Sequence, residues 1–445
     1  MLPLINGYGV GGVLAYRDGH AITAEQFIGE ANELAGRLPA GKHVLNLCAD
    51  RYRFTVGLAA ALLRGQVSLL PPNETADTLE RIISAYPGVY CLTDRDENPV
   101  PASLTLFRYP ERIPAQISRQ PVPLLPDDQV AVVVFTSGST GEPVPYPKTW
   151  GDLVKVAVAE SDGLGLRERP GMAMLGTVPQ QHVFGLETTI MMVLQGGRAM
   201  HSRRPFFPAD IRADLASLPR PRGLVTSPLH LRVLLEDEEA LPPADFLLCA
   251  TAPLSPQLAA QAEARFGAPL YEIYGCTEAG GIASRRTVRT AEWQPLADLA
   301  MRVNSEGAWV SGGHAGKDVP LADIIELRNS GKFLLHGRRA DLVNIAGKRT
   351  SLAYLNFQLN SIEGVRDGAF VAPDTISDQR GEGVTRLMAF VVAPGLTSDS
   401  LMAELRLRVD AAFLPRPLCI VEALPRNATG KLPRREVEEL IRKAG

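Results

Sequence analysis

Apolar and polar positions along the chain fall into alternating strand-like and helix-like stretches. In the first hundred residues a short apolar run, "KHVLNLCA", is followed by a longer helical pattern, "RFTVGLAAALLRGQ", and then by a second apolar run, "VSLLPP". Strands alternating with helices in this way predict βαβ units and a largely parallel sheet. Ahead of them, "VLAYRDGHAIT" reads as a hairpin. From Pro99 to Pro126 the chain turns proline-rich, "PVPASLTLFRYPERIPAQISRQPVPLLP", which disfavours helix and central strand alike and predicts an extended connector within a domain.

Strand and helix patterns resume at Val130 and run to about Gly337, with "RGLVTSPLHLRVLLE", "DFLLCATAPLSPQLAAQAEARFG" and "APLYEIYGCTE" each opening on an apolar stretch. Beyond them lies a smaller set: a helix at 354–362, strands at "GAFVAP" and "RLMAFVVAP", and a helix at 400–413. The expectation is an α/β protein. A large N-terminal domain of sheets with flanking helices would span 1–337, and a small C-terminal α+β domain 338–445, with the junction near Arg338 to Asp341.

Composition narrows the classes. The 445 residues are 45% hydrophobic and 21% charged, as in ordinary soluble globular proteins. A formal net charge of -3 gives no general attraction to nucleic acid or to an anionic membrane. The five cysteines, Cys48, Cys91, Cys249, Cys276 and Cys419, lie far apart and form no CxxC pair, which points to free thiols in a reducing compartment and no zinc ribbon. The segment "MLPLINGYGV" lacks the pattern of a secretion signal, and no apolar run approaches the roughly 18 residues that span a bilayer, so the expected location is cytoplasmic.

Three stretches carry candidate chemistry. "VVVFTSGSTGEPVPYPKTW" passes from an apolar strand into hydroxyls and glycines. Thr136, Ser137, Ser139 and Thr140 offer hydroxyl donors, and Gly138 and Gly141 let the backbone approach a ligand closely, which suits a polyphosphate. No Gly-Lys-Ser/Thr closes the loop, so it is not a Walker loop, and its first cation is Lys148. Behind it "KTWGDLVKVAVAE" predicts a helix capped by Thr149 and Asp152. "YEIYGCTEAGG" offers Thr277 to a phosphate and Glu278 to a magnesium ion. "RNATGKLPRREVEEL" places Lys431 in a turn before a charged helix. By contrast "GYGVGG", Gly7 to Gly12, satisfies GxGxxG but follows only six residues and precedes a hairpin, so a dinucleotide site is not expected.

Taken in this order, "FTSGSTGEP", "YGCTEAGG", "LADIIEL", "GRRADLVNIAGKR" and "PRNATGKLPR" resemble the motifs of the acyl-adenylating superfamily, which includes acyl-CoA synthetases, adenylation domains of peptide synthetases and firefly-type luciferases. The resemblance implies that a substrate carboxylate attacks the α-phosphate of ATP, releasing pyrophosphate, and that a thiol of CoA or of phosphopantetheine then takes the acyl group. Carried over by position, Thr136, Ser137, Gly138, Ser139, Thr140 and Gly141 would hold the phosphates. Tyr274, with Gly275, would stack on adenine, Thr277 would donate to the α-phosphate, and Glu278 would anchor Mg2+. Asp323 would take the ribose hydroxyls with Arg338 beside it. Lys431 would arrive on a mobile C-terminal domain and bridge carboxylate and phosphate.

The chain departs from the family pattern at Val144, where a lysine is usual, at Ala322 in place of a glycine, and at Ala340 in the hinge. "TVPQQHVFGLET" resembles the segment lining the acid pocket, making His182 and Phe184 pocket candidates, with Ser227, Ala250, Thr251 and Ala252 as the remaining wall. No charge in these stretches pairs with an amine, so an aryl or fatty acid is expected over an amino acid. The acceptor is CoA or a separate acyl carrier protein, since no carrier domain is visible in this chain. The alternative is a non-catalytic nucleotide-binding protein that kept the fold.

Overall fold

The computed structural model describes all residues except 98–99, 102–103, 112, 114–120, 138–142, 238, 340–341, 346–347, 373–386, 427–431, 433 and 445. The βαβ rhythm of the first hundred residues builds a six-stranded sheet. Its order is Pro143–Thr149, Val130–Ser137, Val67–Leu70, His43–Asn46, Tyr90–Thr93, Leu106–Arg108. All neighbours run parallel except the edge strand Pro143–Thr149, which folds back antiparallel on Val130–Ser137. That strand was hidden by its prolines. They occupy alternate positions, 143, 145 and 147, where an edge strand turns its N–H groups away from its neighbour, so no ladder bond is lost. Among its described residues, the proline-rich connector likewise yields only the edge strand Leu106–Arg108 and the short Leu124–Leu125.

A second sheet has nine strands, with Leu270–Cys276, Phe246–Cys249, Arg222–Thr226, Ala173–Gly176, Ala199–His201 and Val13–Arg17 parallel at its centre. The expected hairpin, Val13–Arg17 with His20–Thr23, closes one edge, and Gly280–Arg285 turns back antiparallel near the other. The helix Arg51–Leu63 packs against strands of both sheets. This explains why "FTVGLAAALL" is apolar on every side rather than striped. One large core fills the space between the sheets, and two smaller ones cover their outer faces.

Arg51, the first residue of that helix, is 0% exposed, and its guanidinium forms no ion pair with a carboxylate among the described residues. Its guanidinium donates to the carbonyls of His201 and Arg203 at 3.2 and 3.1 Å, and of Gly176 and Val178 at 2.9 and 3.0 Å. These carbonyls lie at or just past the ends of two central strands of the nine-stranded sheet.

Toward the C-terminus, the helix Leu352–Asn360, the strands Asp367–Val371, Met388–Val392 and Leu418–Ile420, and the helix Ser398–Arg408 enclose a core of their own. The last helix is shorter than the pattern predicts. It stops at Arg408, and a single 3₁₀ turn, Ala411–Phe413, follows. The helix Trp150–Gly163 opens on the predicted capping box of Thr149 and Asp152. Among the described residues, no helix is long and apolar enough to cross a membrane.

Replacing Arg51 with methionine takes this donor from four carbonyls, three of them buried and desolvated, those of Gly176, Val178 and His201. Chemical denaturation should show Arg51→Met destabilised by about 3–5 kcal/mol; a loss below about 1 kcal/mol would mean the guanidinium is not the tie between the helix and the nine-stranded sheet.

Candidate functional site

The two motif-bearing strands end at the same place. Val130–Ser137 leads into the glycine-rich loop, and Leu270–Cys276 leads into the turn that carries Thr277 and Glu278. The edge strand Pro143–Thr149 joins them. On it Val144, Tyr146 and Lys148 share one face, because side chains alternate along a strand. Tyr146 lies beside the side chains of Thr136 and Glu278; burial first and the Glu278 carboxylate second push this phenol above its ordinary range. Lys148 Nζ donates to the Glu278 carbonyl at 2.6 Å. The cation absent at Val144 therefore stands further along the same face, at Lys148, in contact with the metal-type turn. Neither Tyr146 nor this role of Lys148 was drawn from the motifs.

The turn is backed by a buried acid pair. Glu187 accepts from the Gly281 N–H at 3.2 Å, and Glu160, 0% exposed, has both carboxyl oxygens buried without a hydrogen-bond partner. A Cβ on Gly280 would lie 2.6 Å from Glu187 Oε1, and one on Gly281 would lie 2.3 Å from Glu160 Oε1. The double glycine of "TEAGG" is thus demanded by two carboxyl groups pressed against its backbone. Burial, and then the neighbouring Glu187 charge, push Glu160 well up. Burial likewise pushes Glu187 up to about 7, while Lys148 and the Gly281 N–H pull it back. His314 completes the shell, with Nε2 at 2.6 Å from the Gly281 carbonyl. Cys276 is part of this turn, and burial pushes its thiol up to about 12, which makes it a poor nucleophile.

Tyr274 and Asp323, 49 residues apart, meet through a 2.7 Å hydrogen bond from the tyrosine hydroxyl to Oδ2. The Tyr274 ring packs against Trp293 and Phe333, both at 5.8 Å between centroids, and the residue is 8% exposed. Most of the face expected to stack on adenine is therefore covered, and the clearest offering of Tyr274 is its hydrogen bond to Asp323. Arg338 sits opposite Asp323 in the antiparallel register. Gly275 pairs with Gly281 in the hairpin. Gly138, Ser139, Thr140, Gly141 and Lys431 lie outside the described residues, as do the side chains of Ser137 and Arg338.

An apolar cleft opens beyond the strand Ala173–Gly176. Its walls are Val178, Pro179, His182, Phe184, Gly185, Ser227, His230 and Thr251. Four expected pocket residues are there, His182, Phe184, Ser227 and Thr251, whereas Ala250 is buried, Ala252 is half-buried, and neither lines the cleft. His230 was missed, although its place two positions after Pro228 in "TSPLHL" puts it one turn from the Ser227 cap.

Asp367, at the start of a C-terminal strand, binds Arg232 of the helix Pro228–Glu236 at 3.0 Å and Arg426 at 2.6 Å. Arg426 lies within the motif of Lys431, five positions before the lysine.

A parallel-sheet body with nucleotide-type loops ending both sheets side by side defines an adenylate-forming ligase. A family model described as AMP-binding enzyme matches residues 11–334, and the chain belongs to that family. The 4-coumarate--CoA ligase of Rhodobacter capsulatus is 30% identical over 308 residues, 68% of this chain and 75% of that protein. The 2-succinylbenzoate--CoA ligase of Bacillus cereus is 25% identical over 364 residues, 71% of this chain and 70% of that protein. ATP-bound MatB from Rhodopseudomonas palustris, 17% identical, shares the fold with a TM-score of 0.81 over 98% of this chain and 96% of that one.

The buried acid pair makes stability depend on pH. An unfolded glutamate releases its proton near 4.5, whereas Glu187 keeps its proton to about 7. Below pH 4.5 both states are protonated and nothing is lost. As pH rises from 4.5 to 7 the unfolded chain gains by ionising while the fold does not, so stability falls, and above 7 the deficit is constant. Glu187→Gln keeps an acceptor for Gly281 and removes the deficit. Its Tm should exceed that of the unsubstituted protein at pH 8 and match it near pH 4.5; an equal difference at both pH values would refute the assignment.

Proposed function

We propose that the protein is an ATP-dependent carboxylic acid ligase that forms an aryl- or acyl-adenylate, releases pyrophosphate, and passes the acyl group to the thiol of CoA or of phosphopantetheine on a separate carrier protein. The observation that carries this reading is the meeting of Thr136, Tyr146 and Glu278 on neighbouring strand ends, with Lys148 hydrogen-bonded to the same turn. It places a phosphate-type hydroxyl, a metal-type carboxylate and a cation at one junction.

Chemistry at that junction requires two anions, a carboxylate and a triphosphate, to approach each other. In this reading hydroxyls of Thr136, Ser137, Ser139 and Thr140 and backbone of Gly138 and Gly141 hold the phosphates. Thr277 donates to the α-phosphate. Asp323, steadied by Tyr274, accepts from the ribose hydroxyls, with Arg338 alongside. Among the described residues no group of three or more His, Cys, Asp or Glu could hold a metal ion, yet Glu278 presents one exposed carboxylate. That donor set fits Mg2+, which takes one or two carboxylates and completes its shell with phosphate oxygens and water. Bound there, the ion would supply charge neutralisation to the phosphates.

The separate C-terminal core supports a reading in two units: 1–337 holds nucleotide and acid, and 338–445 delivers Lys431 and then withdraws it so that a thiol can reach the adenylate. The acid occupies the apolar cleft beside His182 and Phe184. Its shape and want of charge, together with relatives named for coumarate and succinylbenzoate, favour an aryl acid. The free cysteines support a cytoplasmic location.

The test is ATP–pyrophosphate exchange across aryl and fatty acids. Exchange with at least one acid is expected, and Lys431→Ala should lower it by at least about 100-fold. ATP binding without exchange for any acid would favour a non-catalytic nucleotide-binding protein instead.

A further inference from the structure

The acid cleft holds one polar atom that nothing in the fold satisfies. His230 is 6% exposed, lines the cleft, and its Nε2 is buried without a hydrogen-bond partner. Its other ring nitrogen is engaged, with Nδ1 2.9 Å from Ser227 Oγ. Ser227 caps the helix Pro228–Glu236, and its oxygen already accepts from the His230 backbone N–H at 3.5 Å. When the Ser227 hydroxyl donates to Nδ1, the ring's own proton stands on Nε2, the nitrogen without a partner. Burial, and then the Arg204 charge, push the imidazole down to about 4, so near neutral pH the ring is uncharged with a single donor. The ring of Phe206 meets it edge-on at 5.5 Å, holding the plane of the imidazole.

A buried N–H without an acceptor is costly in any fold, and fixed donors of this kind discriminate strongly between ligands that offer an oxygen and ligands that do not. The apolar side chains of the cleft, Val178, Pro179 and Phe184, contact hydrocarbon only.

We propose that His230 is a specificity-determining residue whose Nε2–H binds a hydroxyl oxygen on the ring of the substrate, so that the preferred substrates are hydroxyaryl acids. An uncharged donor in an apolar wall suits the neutral oxygen of a hydroxyl group. This inference rests on the reading of the cleft as the acid pocket.

The experiment compares kcat/KM of the full chain for 4-coumarate against cinnamate and for 4-hydroxybenzoate against benzoate. The hydroxylated member of a pair should be favoured by about 10–100-fold. In His230→Leu the preference should collapse to within about threefold through loss on the hydroxylated acid alone, and His230→Gln should retain part of it. Equal use of both members by the unsubstituted protein, or an intact preference in His230→Leu, overturns the inference. Activity with fatty acids but with neither ring pair also overturns it while leaving the ligase reading standing. Should no acid support exchange, the ligase reading fails, and calorimetric binding of the same four acids decides His230 by itself: tighter binding of the hydroxylated acids, abolished in His230→Leu, supports it, and equal affinities refute it.

Discussion

One buried guanidinium fastens the helix that lies between the two sheets to the nine-stranded one. Arg51 starts the helix that packs on both, and its donors end on carbonyls of Gly176, Val178, His201 and Arg203. A charge so deep is tolerated because four carbonyl dipoles replace the water it has lost. Its placement has consequences at either end of the molecule. Val178 is both a partner of Arg51 and a wall of the acid cleft, so the cleft is built on the same tie that holds the helix to the nine-stranded sheet.

With the sheets fixed, the ends of Val130–Ser137 and Leu270–Cys276 lie close enough for one edge strand to bridge them. The electrostatic arrangement there is layered. Toward solvent stand Glu278 and the cation Lys148; behind them, against the glycine backbone, lie Glu187 and Glu160, held toward their neutral forms by burial. A buried pair of neutral carboxyl groups can support a turn without adding negative charge beside a site meant for phosphates. Lys148 faces both layers, since it bonds the turn and also lowers the proton affinity of Glu187. The missing lysine at Val144 is in this light a displacement along one strand face.

Much of this was legible in the sequence, and the rest was hidden for identifiable reasons. The alternation of strands and helices, the hairpin after Val13 and the cap at Thr149 depend on local pattern, and all are present. The strand Pro143–Thr149 escaped notice because proline argues against strands unless an edge position is known, and edges are a property of topology. The acid pair escaped because each glutamate looked like an ordinary helix residue. The available signal was its setting: Glu160 ends the apolar run "VAVA" and Glu187 interrupts "VFGLETTIMM", which is otherwise apolar or uncharged. His230 needed the third dimension, since only the cleft shows which of its nitrogens is left over. Ala250 and Ala252 were placed by motif position, and the course of the chain after Cys249, with Thr251 at a positive φ of 80°, turns Thr251 rather than its neighbours into the wall.

The central claim is that a substrate carboxylate oxygen bonds to the α-phosphorus of ATP. It is tested most directly by supplying the acid with both carboxyl oxygens labelled with oxygen-18 and weighing the nucleotide after thioester formation. Attack at the α-phosphorus leaves one labelled oxygen in AMP and none in pyrophosphate. AMP without label, or ADP accompanied by labelled phosphate, would contradict it.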